Sequence, residues 1–390
     1  MLCCRWSVLF LIFSAGLILT IAEAGPRAGA EPPLQGKKED FKLATMTSID
    51  GVELKGRYYP SSKANAPAVI FLHGLNDSGG KEWANLAKKL QAKGYAVLMF
   101  DFRGHGDSTT VNPGKPYDPK NPKQPAEPGF WDQKMNMQYV KGYSAKNRPT
   151  EIKYEQFQAA YVSALANDIA TAKAFLDAQP DCNSSNLILI GAGDGATLGA
   201  LWLSSEWHRF RYLPPALGRP QGALDRQNPE GTAVSAAVWL SISPTMGTNK
   251  AAYSVQKMLE RPGRIGKTPM IFMYGEGDAK AGDLAKKCET YLSIKKTKTD
   301  PGYTPAAVKI VGAEKMAGKN LLLESLPTTN KILEFLDEVV DWKKGTTTKK
   351  VNDDDFMWEY QDTTGRMQQV IARKKGVGRA EFSGYAQFLK

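Results

Sequence analysis

Cysteine and histidine are scarce in this chain of 390 residues, which holds four of the first and three of the second. Cys3 and Cys4 stand at the extreme N-terminus, and Cys182 and Cys288 fall far apart on different expected elements, so a disulfide framework is excluded. Two free thiols are expected, with one Cys182–Cys288 bridge as the alternative. His73, His105 and His208 stand at ligand spacing neither from one another nor from a cysteine, so no metal centre and no cofactor is expected. Long apolar runs are missing as well. The stretch Val8–Ile21 is shorter than the roughly 20 residues that a membrane span needs. Basic residues outnumber acidic ones, for a net charge of +11. The lysine pairs Lys295-Lys296, Lys343-Lys344, Lys349-Lys350 and Lys374-Lys375 are short and carry no interleaved aromatics, which argues against nucleic acid as a partner. Such a surface suits either plain solvation or contact with anionic envelope polymers and lipid headgroups.

What is present is an ordinary globular composition, 42% hydrophobic and 23% charged, with room for one large domain and additions. Arg5, the apolar run and Ala22-Glu23-Ala24 read as a secretory signal over residues 1–24, cut before Gly25. The expected location is therefore outside the cytoplasm, periplasmic or extracellular, with no integral span after cleavage; an uncleaved anchor is the alternative. Residues 25–40 are Pro, Gly and charge without periodicity, a linker.

Phe41–Ser48 and Val52–Tyr59 alternate about Asp50-Gly51, a hairpin signal. Ala68–Leu72 is a buried strand ending in His73-Gly74-Leu75-Asn76, followed by a helical stretch over Lys81–Lys93. Tyr95–Phe100 is a second buried strand, ending in Asp101-Phe102-Arg103-Gly104-His105-Gly106-Asp107-Ser108. A helix is expected over Tyr154–Ala178. Asn186–Leu203, NLILIGAGDGATLGALWL, is then an apolar strand breaking into small residues and turning helical. Further strands are expected at Val234–Ile242, Met270–Tyr274 and Ala306–Val311, with helices at Gly282–Leu292 and Ile332–Trp342. Strands that end in Gly-rich polar loops and alternate with helices form a parallel sheet with its functional loops along one edge.

The HG word after one strand, the RGHGDS word after the next, and the elbow after the following helix resemble the α/β-hydrolase fold, in the branch of serine aminopeptidases and monoacylglycerol lipases. The resemblance implies a mostly parallel central sheet flanked by helices over residues 41–343. The segments 111–150 and 204–231 are expected as lid-like insertions over the cleft, and 344–390 as a C-terminal extension with a β-hairpin at Phe356–Tyr360 and Met367–Ala372.

In that family the elbow reads G-x-S-x-G. Here Gly191-Ala192-Gly193-Asp194-Gly195 puts Gly193 at the nucleophile position, with Asp194 as an alternative carboxylate nucleophile or simply a first-turn helix residue. The resemblance places the triad acid at Asp278, the oxyanion amides at Leu75 and Asp194, and the catalytic histidine at the site of Lys315. His73, Gly74 and His105 would line the binding site. An ion pair from Lys315 to Asp278 is expected in place of the Asp-His bond, and a Ser243–Lys315 dyad is a weaker option. A serine triad lacking nucleophile and base retains only binding and the oxyanion site. The expectation is thus an exported pseudoenzyme holding a small molecule or protein partner, against the alternative of an active ester, peptide or amide hydrolase with relocated residues.

Overall fold

The computed structural model describes residues 40–77, 80–115, 129–144, 146–213, 215, 223–247, 252–344, 356–361, 366–371, 385 and 388. The signal and most of the linker read over residues 1–40, the lysine pairs at 349–350 and 374–375, and the turn 362–365 lie outside the described residues. Among the described residues, twelve strands run in chain order: β1 (Lys42–Thr47), β2 (Glu53–Tyr59), β3 (Ala66–Leu72), β4 (Ala96–Phe100), β5 (Cys182–Ala192), β6 (Arg209–Leu213), β7 (Ala223–Pro229), β8 (Val234–Leu240), β9 (Met270–Gly275), β10 (Ala306–Ile310), β11 (Phe356–Gln361) and β12 (Met367–Ile371). The helices are α1 (Lys81–Lys93), α2 (Lys134–Tyr139), α3 (Ala166–Asp177), α4 (Gly193–Glu206), α5 (Val255–Met258), α6 (Ala279–Leu292) and α7 (Thr328–Val339).

Eight strands make one sheet in the order β1-β2-β4-β3-β5-β8-β9-β10. Only β1 and β2 pair antiparallel with their neighbours; the rest are parallel. β3 is buried throughout because both of its faces are covered. Ala68, Ile70 and Leu72 face the core formed with α3, α4 and α6, whereas Val69 and Phe71 face Trp83 and Leu86 of α1 and Ile332 and Leu336 of α7. α1 shows how local sequence sets an element. Its buried Trp83, Leu86, Ala87 and Leu90 recur at helical spacing, and Gly94 ends it at φ 101°, a left-handed conformation that glycine adopts without steric cost.

The expected continuous helix from Tyr154 does not form. Short 3₁₀ turns at Tyr154–Gln156 and Ala159–Leu165 precede α3. Tertiary contacts take the backbone first: Tyr154 donates its amide to the Gly104 carbonyl at 3.0 Å, and Phe157 bridges Val140.

Before the segment 204–231, expected as a lid-like insertion, α4 starts at the elbow and its 14 residues carry the chain about 20 Å along the helix axis. There Trp207 packs at the Gly231 and Gly266 backbone, just ahead of β8 and β9. β6 and β7 pair antiparallel, and β11 and β12 of the C-terminal extension extend them into a second sheet, β12-β11-β6-β7. The physical reason is an unsatisfied strand edge: the β6 backbone bonds the extension, while Arg209 lies over the Phe356 and Trp358 rings at 4.8 and 5.1 Å. The described residues from Asp40 onward form one compact unit. Cys182 and Cys288 are free, and burial pushes each thiol up to about 12. Among the described residues, no helix is long and apolar enough to cross a membrane.

Candidate functional site: a glycine elbow with an occupied amide

The parallel register places Leu72 beside Gly191 and Ala192 beside Leu240, so the loops after β3, β5 and β8 meet at one edge. At the elbow the three glycines have different reasons to be glycine. A Cβ on Gly191 would lie 2.7 Å from the Ala196 Cα, and one on Gly195 would lie 2.0 Å from the His73 carbonyl oxygen. Both are forced by close backbone approach. Gly193 has φ +58°, and its Cβ direction meets no atom within 4 Å among the described residues. It is the one elbow position from which a side chain would project freely, and it has none.

The contrast is measurable. Gly193→Ser should cost only the left-handed backbone penalty, about 1 kcal/mol, whereas Gly195→Ala must displace the His73 peptide at about 2 to 3 kcal/mol. Urea unfolding of the two variants ranks them; the reverse order would place the elbow elsewhere.

Asp194 does not project as a nucleophile. One carboxylate oxygen accepts the Leu75 amide at 2.7 Å and the other accepts the Gly247 amide at 3.1 Å. The Leu75 amide, expected as an oxyanion donor, is therefore bonded to a side chain of the chain itself. The Leu75 peptide is held at its other end too, because the His105 Nε2 lies 2.7 Å from the Leu75 carbonyl oxygen. The His105 Nδ1 lies 2.9 Å from the Arg103 carbonyl oxygen. His73 accepts the Phe102 amide on Nε2 at 2.9 Å, which fixes its Nδ1 as the donor to the Gly74 carbonyl at 2.8 Å. Burial, aided by His105, lowers the His73 pKa to about 4, so that ring is neutral. Both rings act on backbone, tying the HG loop to the RGHGDS loop. Tyr154 packs on His105 with the rings tilted and their centroids 4.5 Å apart, and burial and then the Asp194 charge raise its phenol to about 12.

Asp278 caps α6, accepting the Ala281 amide at 3.2 Å. Lys315 is exposed and pairs with neither Asp278 nor Ser243, which corrects both the expected ion pair and the dyad. The backbone of Gly275 and Gly277 approaches the carbonyls of Ala313, Glu314 and Met316 so closely that an added Cβ would collide with them. The Ser243 hydroxyl is engaged with Thr245, 3.2 Å from its hydroxyl and 3.1 Å from its amide.

The loop after β10 approaches the elbow at Gly318, at φ +56°, where an added Cβ would lie 4.0 Å from the Gly193 amide nitrogen. Sequence reasoning missed it, although a glycine in the loop after β10, before Lys319, was a visible signal. Lys319 is ion-paired with Asp77, joining this loop to the HG loop beside the elbow. Among the described residues no group of His, Cys, Asp and Glu could hold a metal ion.

Residues 67–180 match the family described as the alpha/beta hydrolase fold. An uncharacterised protein of Mycobacterium tuberculosis is 35% identical over 92 residues, 23% of this chain and 31% of that protein. A thiohydrolase of Aspergillus aculeatus is 37% identical over 88 residues, 22% of this chain and 26% of that protein. The chain thus spans less than a third of the length of these curated relatives. Among solved structures, the esterase of Pyrococcus furiosus is similar at a TM-score of 0.46 and 13% identity, over 81% of this chain and 97% of that one. The family match runs from β3 almost to β5, the stretch that builds the HG and RGHGDS loops and leads to the elbow, so that over residues 67–180 the chain is similar to the α/β-hydrolase fold family.

Proposed function

We propose that this is an exported α/β-hydrolase-fold protein that binds a small molecule or a protein partner in a cleft without a Ser-His-Asp triad. The observation that carries this reading is Gly193: the elbow residue with open space before it has no side chain to attack with. Supporting it, Asp194 bonds the amide that would hold an oxyanion, and Lys315 stands exposed away from Asp278. Export rests on the N-terminal Arg5, the apolar run and the Ala22-Glu23-Ala24 site.

A second reading, an ester or amide hydrolase with relocated residues, draws on Ser241. This residue follows β8 at φ +47°, is 6% exposed, and its hydroxyl has no hydrogen-bond partner among the described residues. One experiment separates the two. The purified protein, treated with a fluorophosphonate probe and digested for mass spectrometry, should show no labelled serine and no turnover of short acyl nitrophenyl esters. Stoichiometric labelling at Ser241 or any other serine would establish the hydrolase instead.

A further inference from the structure

We propose that the Asp194 carboxylate is a built-in occupant of the oxyanion position, one that closes this cleft to acyl carbonyls and carboxylates. The inference rests on the reading that Gly193 stands at the nucleophile position, and it assigns a specificity role to the residue next to it. The Asp194 oxygen sits 2.7 Å from the Leu75 amide, where a substrate oxygen would sit in a working site. A Cβ on Gly74 would lie 3.4 Å from the same oxygen and 3.6 Å from the Ala192 carbonyl oxygen, so the HG loop closes around the carboxylate without a side chain between. The second oxygen is fixed on the Gly247 amide at 3.1 Å, and with both oxygens held the group cannot swing aside without giving up two charge-assisted bonds.

Two things follow for ligands. An incoming carbonyl or carboxylate oxygen meets a like charge and a spent donor. A ligand that settles above Gly193 must instead present an N–H or O–H donor to the lone pairs that Asp194 keeps free. The carboxylate also explains why glycine alone does not define the defect: restoring a hydroxyl at Gly193 would leave the oxyanion amide occupied.

The test uses the full-length protein and propionate as the probe, followed by the backbone amide resonance of Leu75. In the wild type and in Asp194→Asn, which keeps an oxygen on the amide, propionate should give no saturable shift. In Asp194→Ala the amide is freed, and saturable propionate binding should appear at Leu75, an interaction that wild type lacks. A readout that needs no ligand guards against misfolding of the alanine variant. The Leu75 amide proton should move upfield in Asp194→Asn, because a neutral acceptor replaces a charged one. Saturable propionate binding by wild type at Leu75, a folded Asp194→Ala that binds none, or an unmoved Leu75 resonance in Asp194→Asn would each overturn the proposal. Serine labelling would defeat the pseudoenzyme reading without touching this one, since the amide bond to Asp194 is read directly.

Discussion

Asp168→Ala is expected to lower stability by about 3 to 5 kcal/mol, because it strands a fully buried guanidinium. Arg103, Asp50 and Asp168 are all 0% exposed at their side chains. Asp168 receives the Arg103 amide at 2.9 Å and its Nε at 2.8 Å, while Asp50 receives Nη1 at 2.7 Å. The Tyr161 hydroxyl accepts from Nη1 at 3.0 Å and donates to the Asn136 side-chain oxygen at 2.9 Å. Burial opposes the Arg103 charge, yet Asp168 and Asp50 together hold it well above its ordinary value; burial pushes Asp168 itself up against the pull of Arg103. A cluster satisfied on every side is costly to break at one point and cheap to leave intact. It also ties the β1–β2 turn, the 129–140 segment and α3 to the loop that carries His105, and through His105 to the Leu75 carbonyl. Urea unfolding measures the loss, and a decrease below about 1 kcal/mol, the level of an exposed pair, would show that water reaches the guanidinium.

Acid should destabilise the protein through His208 before the general carboxylate range is reached. Burial, with Arg261 nearby, lowers the His208 pKa to about 4 although its Nδ1 donates to the Ser204 carbonyl at 2.8 Å. The ring is packed under Phe388 of the C-terminal extension at 5.1 Å. An unfolded histidine binds its proton near pH 6.5, so between about 6.5 and 4 the unfolded chain holds more protons than the folded one. The stabilisation is therefore complete above about pH 6.5 and lost as pH falls to about 4, roughly 3 kcal/mol for this one group. His73 acts in the same direction, and Asp168, pushed up by burial, in the opposite one. The difference between wild type and His208→Gln isolates the His208 share: the melting temperature of wild type should fall more steeply from pH 7 to pH 4.5 than that of the variant. Parallel slopes would mean that the ring is reached by water and titrates normally. Because His208 lies beneath Phe388, loss of the extension at low pH should accompany the first part of the transition.

Most of the central sheet was legible in the sequence, because its signals are local. Apolar runs such as Val69–Leu72 and Leu187–Ile190 have one stable solution, a strand covered on both faces, and small residues after them leave only sharp turns. The glycine elbow after β5 was legible for the same reason, since its run of small residues is a fact of sequence. What the tertiary structure alone decided involves partners distant along the chain. The Asp194 carboxylate reaches the Leu75 amide across 119 residues, and nothing near Asp194 in sequence distinguishes that bond from a first-turn helix carboxylate. Lys315 is exposed and Asp278 instead caps α6, an outcome of the tertiary arrangement that charge pairing on paper cannot foresee. The strand β6 after α4 pairs with β11 roughly 150 residues later, a partner that its own sequence does not reveal, since a strand edge can satisfy its backbone on any strand that reaches it.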